Sequence, residues 1–423
     1  MSGPQESQLA LAIEASRPIH EAFAAAGHRL FLVGGIVRDD LAARERTDVD
    51  YDLTTDARPD VIKALVAPFA EAVWTQGEKF GTIGAKIAGR DFEITTHRAD
   101  AYDPSSRKPV VAFGDDIADD LGRRDFTVNA MAVDCATGVL VDPFGGSDDL
   151  MAGVLRTPLA PDVSFSDDPL RMLRAARFVA TFGFQAVPEL TSAVREMGER
   201  MGIVSVERVR DELTKMLLLP DPAPGFGFLV ESGLLRHVLP GVAAAEVDAV
   251  GAAERAARTE PDAATRWAAL LLDLSAEVRL GEFARLKPSG ELTRSVTWLA
   301  SADQWLAASY PSDRPLLRRA AAATPTGEPL EDFLTFLAAV RPFEWPFDDV
   351  DAARRELIAL RAAEPDLDSP NLPIDGLAIA AILGVEPGPA VGRAIARLRE
   401  FRFDHGPFDD DDAAAELLRS DIE

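Results

Sequence analysis

Along the first ~150 positions, apolar residues come in short runs or alternate with polar ones, which is strand patterning. "RLFLVGG" (29–35) is an apolar run that ends in two glycines. "DVDYDLTT" (48–55), "GTIGAKIAG" (81–89), "DFEITTHR" (91–98), "TVNAMAVD" (127–134) and "GVLVDPFGG" (138–146) predict further strands with turns between them. One segment differs: "DARPDVIKALVAPFA" (56–70) has helical spacing and opens on an acidic residue and a proline. From about residue 165 the period changes to that of helices. "DDPLRMLRAARFVATFG" (167–183) has Asp before Pro at its start and glycine at its end, the expected punctuation. "VERVRDELTKMLLLP" (206–220) sets Val206, Val209, Leu213 and Leu217 against Glu207, Arg208, Arg210, Glu212 and Lys215, a helix with one apolar side. Helical spacing then runs to about 360, with breaks at "LLLPDPAPGFG" (217–227) and "AEPDLDSPNLP" (363–373). The pattern predicts an α/β N-terminal part of about 150 residues, followed by all-α segments.

Composition narrows the class. Hydrophobic residues make up 47% and charged residues 27% of the 423 positions, as in ordinary globular proteins. No run approaches the roughly 18 apolar residues of a membrane helix. "MSGPQESQLALAIEAS" lacks the basic start, apolar run and cleavage site of a secretory signal. The one cysteine, Cys135, excludes an internal disulfide and a cysteine-cluster metal site. These readings predict a cytoplasmic protein. The net charge of −26 opposes nucleic-acid binding on average, so any such face must come from the locally arginine-rich segments.

Candidate chemistry begins at "DVDYDLTT". Residues two apart on a strand share a face, so Asp48, Asp50 and Asp52 crowd one surface. A divalent cation between two such carboxylates relieves their repulsion, and Mg²⁺ favours one or two carboxylates plus substrate phosphates. Upstream, Gly34 and Gly35 end a strand where backbone N–H groups can approach a phosphate, and Arg38 follows.

These residues, "LVGGIVRDDL…DYDLTTDARP", resemble the head of the class II nucleotidyltransferases, the CCA-adding enzymes and bacterial poly(A) polymerases of the polymerase-beta-like superfamily. Further segments match in order over about 185 residues: "GEKFGTIG" (77–84), "FEITTHR" (92–98), "DDLGRRDFTVNAMAVD" (119–134), "DPFGGSDDL" (142–150), "DDPLRMLRAARF" (167–178) and "VERVRDELTKMLL" (206–218). The resemblance thins after 220 and returns at "DGLAIAAILGVEPGPAVGRAI" (375–395). It implies an α+β nucleotidyltransferase head built on a mixed sheet with helices (1–150), then an all-α neck that reads the nucleotide base (151–222), a helical body (223–365) and a tail that contacts tRNA (366–423). The implied reaction is Mg²⁺-dependent, template-independent addition of CMP and AMP from CTP and ATP to the tRNA 3′ end. A poly(A) or A-only product is the alternative, and a non-catalytic RNA-binding descendant a third. The family pattern matches "DYDLTT" and implies Asp50 and Asp52 as metal ligands; the spacing from Gly34 favours Asp48 and Asp50. Both registers contain Asp50.

Glu93 is implied as a third carboxylate that orients the attacking hydroxyl; its plain alternative is an exposed strand glutamate. "GRRDFTVNA" supplies Arg123, Arg124, Asp125 and Asn129. Adjacent arginines point different ways, so one or two can face a phosphate, whose oxygens suit a guanidinium fork. The alternative is structural, with arginine–carboxylate pairs locking strand to helix. Asp168 and Arg171 lie three apart on the predicted helix, hence on one face. The carboxylate accepts from an exocyclic amine and the arginine donates to a ring nitrogen, which suits cytosine and adenine and leaves uracil and guanine unpaired. The alternative there is a helix cap before Pro169. Arg174 and Arg177 follow on the same predicted helix, facing phosphates or solvent. Some relatives carry an HD phosphohydrolase domain after the neck. Here the five histidines, His20, His28, His97, His237 and His405, are scattered, and Leu272 precedes Asp273 where a His-Asp pair would stand, so the body resembles a degenerate form without that second activity.

Overall fold

Seven strands form one sheet in the order β3-β4-β5-β2-β1-β6-β7. They are β1 (Leu30–Val33), β2 (Tyr51–Thr55), β3 (Ala72–Trp74), β4 (Thr82–Ile87), β5 (Arg90–Thr96), β6 (Ala132–Asp134) and β7 (Leu140–Val141). The computed structural model describes residues 7–44, 51–98, 113–301, 313–324, 329–340 and 350–418. Within this sheet only β2 and β5 pair in parallel; every other neighbouring pair in it is antiparallel.

The two faces of this sheet are treated differently. Leu30, Leu32, Leu53, Ile83, Ala85, Phe92, Ile94 and Val133 pack on one side against Ile19 and Phe23 of α1 (Gln8–Ala25), Ile36 and Val37 of α2 (Gly35–Leu41) and Ile62 and Val66 of α3 (Pro59–Val66). The alternate positions face the other way. Phe31, Val33 and Ala132 join Ile117 and Leu121 of α4 (Ile117–Gly122) in a smaller cluster. Asp52, Glu93 and Gly84 share that second face further along, because side chains alternate on a strand and register partners share a side.

Where the strand prediction over 127–134 departs from the structure, polar side chains are the reason. Thr127–Asn129 form a 3₁₀ turn, and only Ala132–Asp134 are strand. Thr127 Oγ1 donates to Asp149 (2.7 Å) and Asn129 Nδ2 to Asp125 (2.9 Å), so both leave the ladder. Pro143, which has no N–H to donate, follows the two-residue β7. Next come α5 (Gly146–Ala152), β8 (Val154–Leu155) and α6 (Pro161–Asp167). The helix predicted over 167–183 is α7 (Leu170–Phe182), ended by Gly183 at φ +70°. Asp168 lies outside it, extended at φ −143° and ψ 100°. A residue before proline is driven out of the helical region, and Pro169 does that here.

α8 (Pro188–Met197), α9 (Val206–Leu217) and α10 (Ala223–Glu231) follow, with β9 (Gln185–Ala186) paired to β8. The described residues up to Met216 and Pro222–Pro240 make one compact unit; those of 217–221 and 241–423 make a second. The regular elements among the described residues of the second unit are all helices. There, buried Arg279 donates to the carbonyls of Leu271 (3.2 Å), Leu272 (3.0 Å), Leu274 (2.8 Å) and Ala300 (2.6 Å), groups that helix ends leave unpaired. Glu364 binds both Arg318 (2.8 Å) and Arg402 (2.6 Å), and Arg402 also reaches Asp366 (2.8 Å). Asp273 pairs with Arg255 at 2.8 Å, so a guanidinium holds that carboxylate.

At Gly225, α10 packs tightly against α7. A Cβ there would meet Met216 Sδ and lie 2.8 Å from the Ala176 carbonyl oxygen, while Gly227 two residues on faces open space. Gly225→Ala is expected to destabilise by about 1–3 kcal/mol through overpacking. Gly227→Ala is expected to stabilise by up to about 1 kcal/mol through helix propensity. Urea unfolding of the two variants beside the parent checks the contrast.

Candidate active site

Asp52 and Glu93 are partners in the β2–β5 register. Parallel neighbours at one level point to the same face, so the two carboxylates stand side by side. Asp52 is partly buried and Glu93 exposed. On the other flank of Asp52, Gly34 joins β1 to α2 at φ +77°, a conformation that side chains rarely adopt. A Cβ on Gly34 would lie 3.6 Å from Arg124 Nη1 and 3.8 Å from Asp52 Oδ2. The glycine therefore keeps open a space between a guanidinium and a carboxylate.

Arg124 is held there by Asp120. This fully buried carboxylate takes Arg124 Nη2 on one oxygen (3.2 Å) and Arg123 Nε (3.2 Å) and Nη2 (2.9 Å) on the other, with the Arg98 backbone N–H at 3.3 Å. Burial alone would raise the Asp120 carboxyl; Arg124 and Arg123 outweigh it and hold the group below the ordinary aspartate range. Arg124 Nε has no acceptor among the described residues. Nearby His97 is buried between Thr54 Oγ1 (2.9 Å from its Nδ1) and the Phe31 ring, and burial lowers its pKa, which keeps it neutral at pH 7.

A second buried carboxylate, Asp125, organises the other arginines. Arg174 Nε donates to Asp125 Oδ2 (2.9 Å) and Asn129 Nδ2 to Oδ1 (2.9 Å). Asn129 Oδ1 in turn accepts from Arg38 Nη1 (2.6 Å), and Arg38 Nε donates to Asp39 (2.8 Å). The Arg38 guanidinium also lies over the Phe182 ring, 4.5 Å from its centre. One chain of bonds thus ties α2 through the 3₁₀ turn to α7. Arg177 binds Glu212 of α9, which is buried. The structure therefore commits Arg38, Arg174 and Arg177 to protein partners.

At the entry to α7, Asp168 Oδ2 accepts from Arg208 Nη2 (2.8 Å) and Oδ1 from the Leu170 N–H (3.2 Å). Arg171 Nη1 donates to Ser164 Oγ (2.8 Å) and Nη2 to the Arg123 carbonyl (2.5 Å). Each carboxylate oxygen has a second lone pair and a guanidinium has five N–H groups, so both side chains retain bonding capacity toward a base. The Arg171 bond also connects this pair to the Arg123–Arg124 segment.

Asp52 and Glu93 offer hard oxygen donors on one face, the donor set a divalent cation such as Mg²⁺ takes. Asp50 and Asp48 lie outside the described residues. Among the described residues no group of three His, Cys, Asp or Glu side chains is assembled for a metal. Sequence reasoning passed over Asp120 and Ser164, and it placed Arg208 and Glu212 on a solvated helix face, whereas Glu212 is buried against Arg177 and Arg208 is bonded to Asp168. Asp120 carried a usable signal, since it stands three and four residues before Arg123 and Arg124. The others depend on long-range folding.

Residues 30–156 match the family described as "Poly A polymerase head domain", and residues 183–246 match "Probable RNA and SrmB- binding site of polymerase A". The CCA-adding enzyme of Limosilactobacillus reuteri is 30% identical over 399 residues, covering 92% of each chain. That of Geobacillus thermodenitrificans is 37% identical over 218 residues, 51% of this chain and 52% of the relative. The chain thus spans about half the length of the first curated relatives it matches. Among solved structures, the CCA-adding enzyme of Bacillus stearothermophilus in complex with CTP is similar, with TM-score 0.65, 26% identity and coverage of 96% of this chain and 97% of that one. The Thermotoga maritima CCA-adding enzyme complexed with tRNA_CCA shares the fold, with TM-score 0.60, 20% identity and coverage of 98% and 96%. Among the described residues no helix is long and apolar enough to cross a membrane.

Arg174 and Asn129 outweigh burial and hold the Asp125 carboxyl at about 2, below the ordinary 3.8. A depressed folded-state pKa contributes stability above the unfolded value and loses it as pH falls through the folded one. The contribution at pH 7, on the order of 2 kcal/mol, should therefore vanish between about pH 4 and pH 2. Asp125→Asn is expected to lower stability at pH 7 by at least that amount and to flatten the dependence in that window. Denaturant titrations across the range measure both.

Proposed function

The chain belongs to the CCA-adding enzyme family, and on that premise we propose that it adds CMP and AMP from CTP and ATP to the 3′ end of tRNA without a nucleic-acid template, releasing pyrophosphate. The observation that carries this reading is the convergence of Gly34, Arg124 and Asp52 beside Glu93. The B. stearothermophilus relative solved with CTP supports the nucleotide assignment.

Asp50 and Asp52 would hold the divalent cation, with Glu93 beside them, and Mg²⁺ is the ion this donor set favours. When bound, it supplies charge neutralisation on the triphosphate and lowers the pKa of the attacking hydroxyl. The chain's own side chains do the rest. Gly34 and Gly35 leave room for phosphate oxygens, and Arg124, with Arg123 beside it, donates to them from a position that Asp120 has already set. Charge developing on the transferred phosphoryl group thus meets a guanidinium that need not reorganise. Glu93 accepts a hydrogen bond from the RNA 3′-hydroxyl and orients it for in-line attack on the α-phosphate. Asp168 and Arg171 read the amine and ring nitrogen shared by cytosine and adenine. Arg38, Asn129, Asp125, Arg174 and Arg177 keep the wall behind these groups rigid through the bonds described above. Residues 1–150 are the catalytic head, 151–222 the neck, 223–365 the body and 366–423 the tRNA-contacting tail of a cytoplasmic enzyme.

The test is incorporation into tRNA lacking its CCA end, with CTP and ATP supplied singly and together. The expected result is use of both, with AMP added after CMP. Incorporation of ATP with CTP ignored would reassign the product to poly(A) or A-only addition. Asp52→Ala is expected to cut addition by at least about a thousandfold, with an unchanged melting temperature. Asp48→Ala should retain most activity; the reverse pattern would move the metal ligands to Asp48 and Asp50.

A further inference from the structure

One transverse row of register partners crosses four strands on the second face of the sheet. It runs from Asp52 on β2 to Glu93 on β5, Gly84 on β4 and Trp74 on β3. The indole of Trp74 lies directly over Gly84, where any Cβ would collide with its Nε1 edge. The ring thus sits beside Glu93, two strands and about 10 Å from Asp52. Trp74 is 36% exposed on a three-residue edge strand, while Trp267 and Trp298 are buried.

The flanks of Asp52 differ in chemistry. On the β1 side stand Gly34 and Arg124, and the Arg171 guanidinium is bonded to the neighbouring Arg123 carbonyl. That side suits the triphosphate and the incoming base. The β5 side offers one carboxylate and then an open aromatic surface. Nucleic-acid bases stack on exposed aromatic rings irrespective of sequence. An enzyme that extends a strand needs a seat for its last nucleotide on the side of the acid that orients the hydroxyl. We propose that Trp74 is a positioning residue that stacks the 3′-terminal base of the RNA acceptor and sets its hydroxyl at Glu93. Gly84 is the position that makes room for the ring. This rests on the nucleotidyl-transfer reading given above.

Steady-state kinetics separate the two. Should the parent protein add no nucleotide to RNA, the reading of function fails. Given an active parent, Trp74→Ala is expected to raise KM for the RNA by about five- to a hundredfold and to leave KM for CTP within about twofold. Trp74→Phe, which keeps a ring over Gly84, should restore KM for the RNA to within about threefold of the parent. An independent readout needs no alanine variant. RNA added without nucleotide should quench tryptophan emission in the parent, and the quench should largely disappear in Trp74→Phe. An unchanged KM for RNA, a rise confined to CTP, or a rise shared equally by RNA and CTP overturns the proposal. So does a quench that survives in Trp74→Phe.

Discussion

Two buried carboxylates five residues apart, Asp120 and Asp125, set the positions of the cations in the head. A carboxylate removed from water must be fully hydrogen-bonded or it gives up its charge. Asp120 meets that condition with Arg123, Arg124 and the Arg98 amide; Asp125 meets it with Arg174, Asn129 and the Phe126 amide. Because the acids are locked, the arginines are locked too. A guanidinium on an unsupported side chain would have to surrender rotamer freedom to meet a phosphate. Here folding has already fixed Arg124 beside Gly34 and Asp52, which is what preorganisation means in physical terms.

The sheet topology supplies the opposite charge. Helices α1 and α3 close one face with a continuous apolar layer, so the other face carries Asp52 and Glu93. Like charges at one level of adjacent strands repel. An ordinary sheet would avoid the pair; in the proposed function a cation and phosphates would offset that repulsion. The overall charge of −26 therefore does not describe this face, where the arginines are tethered by acids around a short acidic row.

Several site residues were legible in the chain itself. The strand running into Gly34 and the alternating acids ending at Asp52 follow from spacing, while Glu93 was singled out by the family resemblance. Asp120 with Arg123 and Arg124 follows from helix geometry. The break at Asp168 was also available, since Pro169 forbids the helical conformation before it. Other roles were not legible. Arg38 and Asn129 are 91 residues apart, and Arg174 and Asp125 are 49 apart. No local pattern says that these arginines meet acids rather than phosphates. Trp74 was equally silent: three residues of edge strand with no buried position leave no periodicity to read.

By itself the sequence determined the class of the head, the helical remainder, the family resemblance and the residue types capable of metal and phosphate chemistry, because those depend on local spacing and on side-chain identity. Tertiary structure alone decided which arginine faces the acids and which ones brace the wall. It also set the parallel β2–β5 register that brings Asp52 level with Glu93, and the seat of Trp74 over Gly84. The physical reason is that a side chain's partners are chosen where distant segments cross, and burial makes that choice binding.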